Sequence, residues 1–171
     1  MILATDVHYL ADHAIAAAVL FARWDEAVPA ACWTVRIDTV ADYIPGQFYQ
    51  RELPCLMQLI SQAPQPISCV VVDGYVDLGG EQLPGLGRHL WHALQGQTPV
   101  LGVAKTRFAD TPDNAALYRG KSEKPLFISA AGIELEQAKA AVARMHGRHR
   151  LPSLLKRVDQ LCRGIDAAGA L

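Results

Sequence analysis

The stretch that most limits how this chain can fold is residues 68–74, Ser-Cys-Val-Val-Val-Asp-Gly. Four apolar residues run without a break and then stop at a carboxylate and a glycine. Such a run predicts a strand buried on both faces, in the middle of a sheet with helices on either side. A carboxylate at the exit of that strand lies where open α/β sheets bind ligands. Asp73 is therefore a candidate functional residue. Two other acids, Asp6 and Glu52, can be brought to the same edge.

The remaining elements follow from periodicity. Ile2 to Val7 is short and apolar and reads as a strand. Residues 14–24 fit two elements: the three alanines from Ala16 favour helix, whereas Val19, Leu20, Phe21 and Trp24 favour strand. In residues 31–38, Trp33, Val35 and Ile37 alternate with Thr34, Arg36 and Asp38, which predicts a strand with one wet face. Asp42 to Gly46 is a loop by its Pro-Gly pair. Helical spacing then runs over 48–62, with Pro54 expected in the first turn, where its missing N–H is harmless. Leu83, Leu86, Leu90 and Leu94 predict a second helix. Thr98 to Ala104 predicts a buried strand with Lys105 at its exit. Residues 109–124 read as a surface excursion, Leu126 to Ile128 as a short strand, and 135–145 as a helix closed by Gly147. Pro152 opens a last helix carrying Leu154, Leu155, Val158, Leu161, Cys162 and Ile165.

This order, three antiparallel strands feeding parallel αβ units, resembles the ribonuclease-H-like arrangement: an α/β fold with a mixed sheet flanked by helices. Its first and fourth strands are neighbours, so Asp6 and Asp73 would be adjacent. With no repeat and no linker, one domain over 1–171 is expected. The net charge of −1 gives no general pull toward nucleic acid, so such binding would need a local basic patch. Cys32, Cys55, Cys69 and Cys162 are scattered without zinc spacing and suit buried thiols of a reducing compartment. No apolar run reaches membrane-span length, and no basic region precedes the first apolar residues. A cytoplasmic protein without a membrane partner is expected.

Two carboxylates on neighbouring strand ends repel, and either protonate in part or need a cation. With Glu52 added, the set suits Mg²⁺ and metal-assisted phosphodiester hydrolysis. Each acid also has an ordinary reading: Asp6 and Asp73 as turn residues, Glu52 as a complement to a helix N-terminus. Lys105 could neutralise a phosphate or be a solvated lysine. Tyr43, Ile44, Pro45 and Gly46 could form a wedge that enters a base stack, or tuck the tyrosine onto the core. The basic run Arg144, His146, Arg148, His149, Arg150, Lys156 and Arg157 could track a phosphate backbone or be a solvated helix junction.

At these residues the chain resembles the endonuclease V family. The resemblance is carried by Thr5-Asp6-Val7, by the block from Tyr43 to Pro54 with its Tyr-x-Pro-Gly and Arg-Glu-x-Pro spacing, and by Val70 to Gly74. Gly85 to Leu90, Pro99 to Lys105, and Arg150-Leu151-Pro152 also contribute. It implies a ribonuclease-H-like nuclease that depends on Mg²⁺ or Mn²⁺. Such a nuclease acts on DNA or RNA containing deaminated bases, chiefly inosine, and cuts the second phosphodiester bond on the 3′ side. Asp6, Glu52 and Asp73 would be the metal-binding acids and Lys105 the active-site lysine. Tyr43 to Gly46 would be the wedge, and Gly74 would approach the flipped base. The chain departs from the family at Leu78 to Gln82, in place of a His-Pro-Arg-Arg stretch, and near Ala131, in place of a histidine. A nucleic-acid-binding protein on the same scaffold is the alternative.

Overall fold

The computed structural model describes residues 1–38, 48–79 and 83–165. Three antiparallel strands open it: β1 (Ile2–Tyr9), β2 (Ala14–Phe21) and β3 (Ala31–Ile37). Residues 14–21 are therefore strand. Seven of these eight residues are buried, six of them in succession, and propensity yields to burial between neighbouring strands. Then come α1 (Phe48–Ile60), β4 (Cys69–Asp73), a small hairpin of β5 (Asp77–Leu78) and β6 (Leu83–Pro84), α2 (Leu86–Ala93) and β7 (Val100–Ala104). The chain continues through β8 (Ala116–Leu117), β9 (Leu126–Ala131), α3 (Leu135–Arg144) and α4 (Ser153–Cys162).

The main sheet has seven strands in the order β3-β2-β1-β4-β7-β9-β8. β4 pairs in parallel with β1 on one side and with β7 on the other. This is the ribonuclease-H-like order expected from the sequence. Because side chains alternate along a strand, each central strand serves two cores. Leu3, Val70 and Val72 pack toward α1 and α2 with Leu56, Leu59 and Leu90. Ala4, Val71, Leu101 and Val103 pack toward α3 and α4 with Val142, Leu155 and Val158. Both faces of β4 are covered, which is why its sequence is apolar without alternation.

Some expectations shift. α1 begins at Phe48, so Pro54 lies inside it and not in the first turn. Pro54 is on the exposed side, where water can reach the Gln50 carbonyl that it cannot serve, while Glu52, Cys55, Leu56 and Leu59 hold the opposite side down. Leu83 belongs to the hairpin and is exposed, so α2 starts at Leu86. The last helix ends at Cys162, leaving Ile165 half exposed. Cys32 is exposed on the wet face of β3, unlike the other three thiols.

The excursion over 109–124 is also more than surface. Arg119 is buried, and its guanidinium donates to the carbonyls of Met145, Gly147, His149 and Arg150. It thus ties the connection between α3 and α4 to the edge of the sheet. Arg148 and His149 of the basic run remain exposed on that connection. Arg119→Met is expected to leave four carbonyls without their donor and to cost about 2–4 kcal/mol, read as a lower midpoint in urea unfolding.

Candidate active site at the strand exits

The two-residue period that builds the α4-side core also aims the polar residues at its end. Ala4 is followed on that face by Asp6, Val71 by Asp73, and Leu101 then Val103 by Lys105. The β1–β4 register pairs Thr5 with Val72, so Asp6 and Asp73 are the next residues of two neighbouring strands. Lys105 Nζ donates to Asp73 Oδ2 at 2.6 Å. Asp6 Oδ1 accepts from the Val7 amide at 2.8 Å. Glu52 arrives from the other face of the sheet, on the buried side of α1 one turn before Leu56, and is only 5% exposed.

These acids feel one another. Burial, and then the charge of Asp73, push the Asp6 carboxyl up to about 6. Burial raises Glu52 well above the ordinary glutamate value, and Asp6 and Asp73 add to the rise. Burial works against the Lys105 ammonium, but its bond to Asp73 and the charges of Asp6 and Asp159 outweigh that, so its pKa is raised. Lys105 pairs with Asp73, and the charge of Arg51 offsets only part of the rise at Glu52.

Asp159 is a fourth acid here that the sequence reading did not single out. It lies on α4, 3.9 Å from Lys105 Nζ, and Arg163 holds the same oxygen at 3.2 Å. The signal was present: Asp159 interrupts the apolar stripe of Leu154, Leu155, Val158 and Cys162, where packing alone would favour another apolar residue. Leu151, Leu155 and Val158 line the narrow cleft that holds Asp6, Asp73 and Lys105.

Asp6, Glu52, Asp73 and Asp159 offer carboxylate oxygens, the donors that suit a hard divalent cation. Among the described residues, no group of three or more His, Cys, Asp or Glu side chains is drawn together as a metal site. Instead, Lys105 supplies positive charge to Asp73.

A second cleft of about 310 Å³ opens on the other side of Asp73. Gly74, Tyr49, Tyr75, Leu86 and Phe108 are among its walls. Gly74 has φ +137°, which favours glycine directly after the acid. Gly102 on β7 allows this turn to approach: a Cβ there would lie 2.6 Å from the Gly74 carbonyl oxygen and 2.8 Å from the Val76 nitrogen. Tyr43, Ile44, Pro45 and Gly46 lie outside the described residues. So do Gly80, Glu81 and Gln82, where the chain departs from the family pattern.

The family profile described as Endonuclease V matches residues 1–160. The chain belongs to the endonuclease V family. Endonuclease V of Streptomyces coelicolor is 32% identical over a match covering 71% of this chain and 59% of the relative. The chain thus spans about three fifths of the length of the curated relatives it matches. The crystal structure of the Streptomyces avermitilis endonuclease V superposes with a TM-score of 0.73 at 28% identity, over 95% of this chain and 79% of that one. Endonuclease V of Ciona intestinalis, solved with a 24mer DNA containing an inosine followed by a ribo-adenosine, superposes with a TM-score of 0.77 at 22% identity, over 95% and 84% of the two chains. The Ciona likeness bears on the fold alone. Among the described residues, no helix of this family member is long and apolar enough to cross a membrane.

Proposed function

We propose that this endonuclease V family chain is a metal-dependent nuclease that hydrolyses a phosphodiester bond near a deaminated base, chiefly inosine, in DNA or RNA. The observation that carries the reading is the acid cluster at the exits of β1 and β4, with the raised carboxyls of Asp6 and Glu52, beside a cleft walled by Gly74 and aromatic rings. Membership of the endonuclease V family over residues 1–160 supports nucleic acid as the partner.

In this reading Asp6, Glu52 and Asp73 hold Mg²⁺ or Mn²⁺, and Asp159 adds negative charge from α4. A divalent cation bound there would offset the repulsion of the acids and polarise the phosphate and an attacking water. Lys105 stands at the edge of the cluster, where its ammonium can meet a phosphate oxygen and the charge that develops on it. Asp73 keeps that lysine charged and in place. The glycine-and-aromatic cleft takes the base turned out of the stack. A mispaired hypoxanthine costs less to extrude than a paired base. Tyr43, Ile44, Pro45 and Gly46 act as the wedge that keeps the strands apart.

The departures from the family pattern at Leu78 to Gln82 and near Ala131 favour a second reading, a nucleic-acid-binding protein on the same scaffold. Glu52→Gln separates the two. Under the nuclease reading, this variant binds Mn²⁺ at least about tenfold more weakly in calorimetry and cuts an inosine oligonucleotide correspondingly less. Equal Mn²⁺ binding by both proteins would remove Glu52 from the site. No Mn²⁺ binding by either, with the oligonucleotide still retarded in a gel, would favour the binding protein.

A further inference from the structure

We propose that Tyr75 is a positioning residue that locks the exit of β7 onto the exit of β4, and that its ring partitions the base cleft from a second cleft behind it. The partition rests on the base-cleft reading above; the lock does not.

Tyr75 lies two residues beyond Asp73. Its hydroxyl donates to the Thr106 carbonyl at 2.8 Å and accepts from the Phe108 amide at 3.1 Å. One phenol thus grips the backbone at Thr106, directly after Lys105, and again at Phe108. Its ring meets that of Phe108 edge-on, with centroids 6.3 Å apart.

The other side of the lock is fixed by α2 and β9. The Gly87 amide donates to the Tyr75 carbonyl at 3.1 Å, the Gly85 amide to the Val76 carbonyl at 2.8 Å, and the Val76 amide to Ser129 Oγ at 2.8 Å. Gly87 allows this contact, since a Cβ there would lie 2.7 Å from Val76 Cγ2. The segment bearing Tyr75 is therefore anchored independently of the loop that it holds.

Tyr75 also borders two clefts. On one side is the 310 Å³ cleft with Gly74 and Phe108. On the other is a cleft of about 170 Å³ bordered by Asp77, Thr111, Asn114 and Ser129. A base entering the first cleft meets the tyrosine ring as its limit. Without the ring the two spaces join, and a larger base gains room. Size discrimination in a cleft of this kind is worth roughly 10–200-fold per small group.

The experiment compares wild type, Tyr75→Phe and Tyr75→Ala, after a thermal melt has shown that each is folded. Hydrogen–deuterium exchange reads the lock. In Tyr75→Phe, the Phe108 amide should exchange at least about tenfold faster while the amides of β4 and β7 stay unchanged. Single-stranded oligonucleotides carrying hypoxanthine or the larger 1,N6-ethenoadenine read the partition, both by anisotropy and by cleavage. Tyr75→Ala should lose on the order of tenfold in discrimination between them, whereas Tyr75→Phe should keep it. In cleavage, Tyr75→Phe should lower kcat with little change in KM, because it loosens the loop that carries Lys105 and leaves the cleft wall intact. Unchanged exchange in Tyr75→Phe would overturn the lock, and unchanged discrimination in Tyr75→Ala the partition. Wild type that neither binds nor cuts either oligonucleotide would overturn the nuclease reading and with it the partition, while the exchange result would still decide the lock.

Discussion

Asp6→Asn combined with Asp73→Asn is expected to lower metal-dependent cleavage of an inosine oligonucleotide by on the order of a thousandfold or more. Both residues leave neighbouring parallel strands on the same face, and both would share one cation. An amide retains the shape of the carboxylate but not its charge, so the sheet should be undisturbed. Binding should follow a different course. Removing two negative charges from a surface that meets phosphate should leave retention in a gel equal or stronger, most visibly at low salt. The double variant therefore tests charge at the site apart from access to it. Cleavage at the wild-type rate would place the chemistry elsewhere in the chain.

The second large effect concerns stability without metal. The Asp6 carboxyl is pushed up to about 6 in the folded protein by burial and by Asp73, against an ordinary value near 3.8 when unfolded. Between these values the folded state binds more protons than the unfolded one. Stability is thus fully present below about pH 4 and is lost as pH rises through about 6. A rise of this size corresponds to an upper bound of about 3 kcal/mol. In chelator at neutral pH, Asp6→Asn should therefore be more stable than wild type, by about 1–3 kcal/mol, and melt several degrees higher. Near pH 4 the advantage should vanish. Added Mn²⁺ should raise the melting temperature of wild type more than that of the variant, because the cation replaces the missing protons. A variant that melts below wild type in chelator at neutral pH would mean that Asp6 is held by favourable contacts and is not under electrostatic stress.

The sheet was legible in the sequence because its signals are local. The run from Cys69 to Val72 announces a strand with two covered faces, and the alternation from Trp33 to Ile37 announces an edge strand with one wet face. Asp73 and Lys105 were legible because each ends a buried strand. Asp6 could be joined to them because the order of elements makes β1 and β4 neighbours. What was hidden depends on the tertiary partner. Pro54 suggests a helix start until the face carrying Glu52 and Leu56 is seen to extend the helix backward. Arg119 looks like one more surface charge in a polar stretch; only the carbonyls of the connection between α3 and α4 make it a tie. Asp159 is the instructive omission. An acid set into an apolar helical stripe is a local signal, but its neighbours Lys105 and Asp6 are supplied by strands distant in sequence.

Whether the acids at the exits of β1 and β4 make this chain a nuclease acting near a deaminated base is decided by one cleavage map. End-labelled oligonucleotides with a single inosine, as DNA and as RNA, would be incubated with the protein in Mg²⁺, in Mn²⁺ and in chelator. One cut is expected at the second phosphodiester bond on the 3′ side of the inosine, present with either metal, absent in chelator and absent when adenine replaces hypoxanthine. A cut that persists in chelator, or one indifferent to the base, would contradict the proposed function.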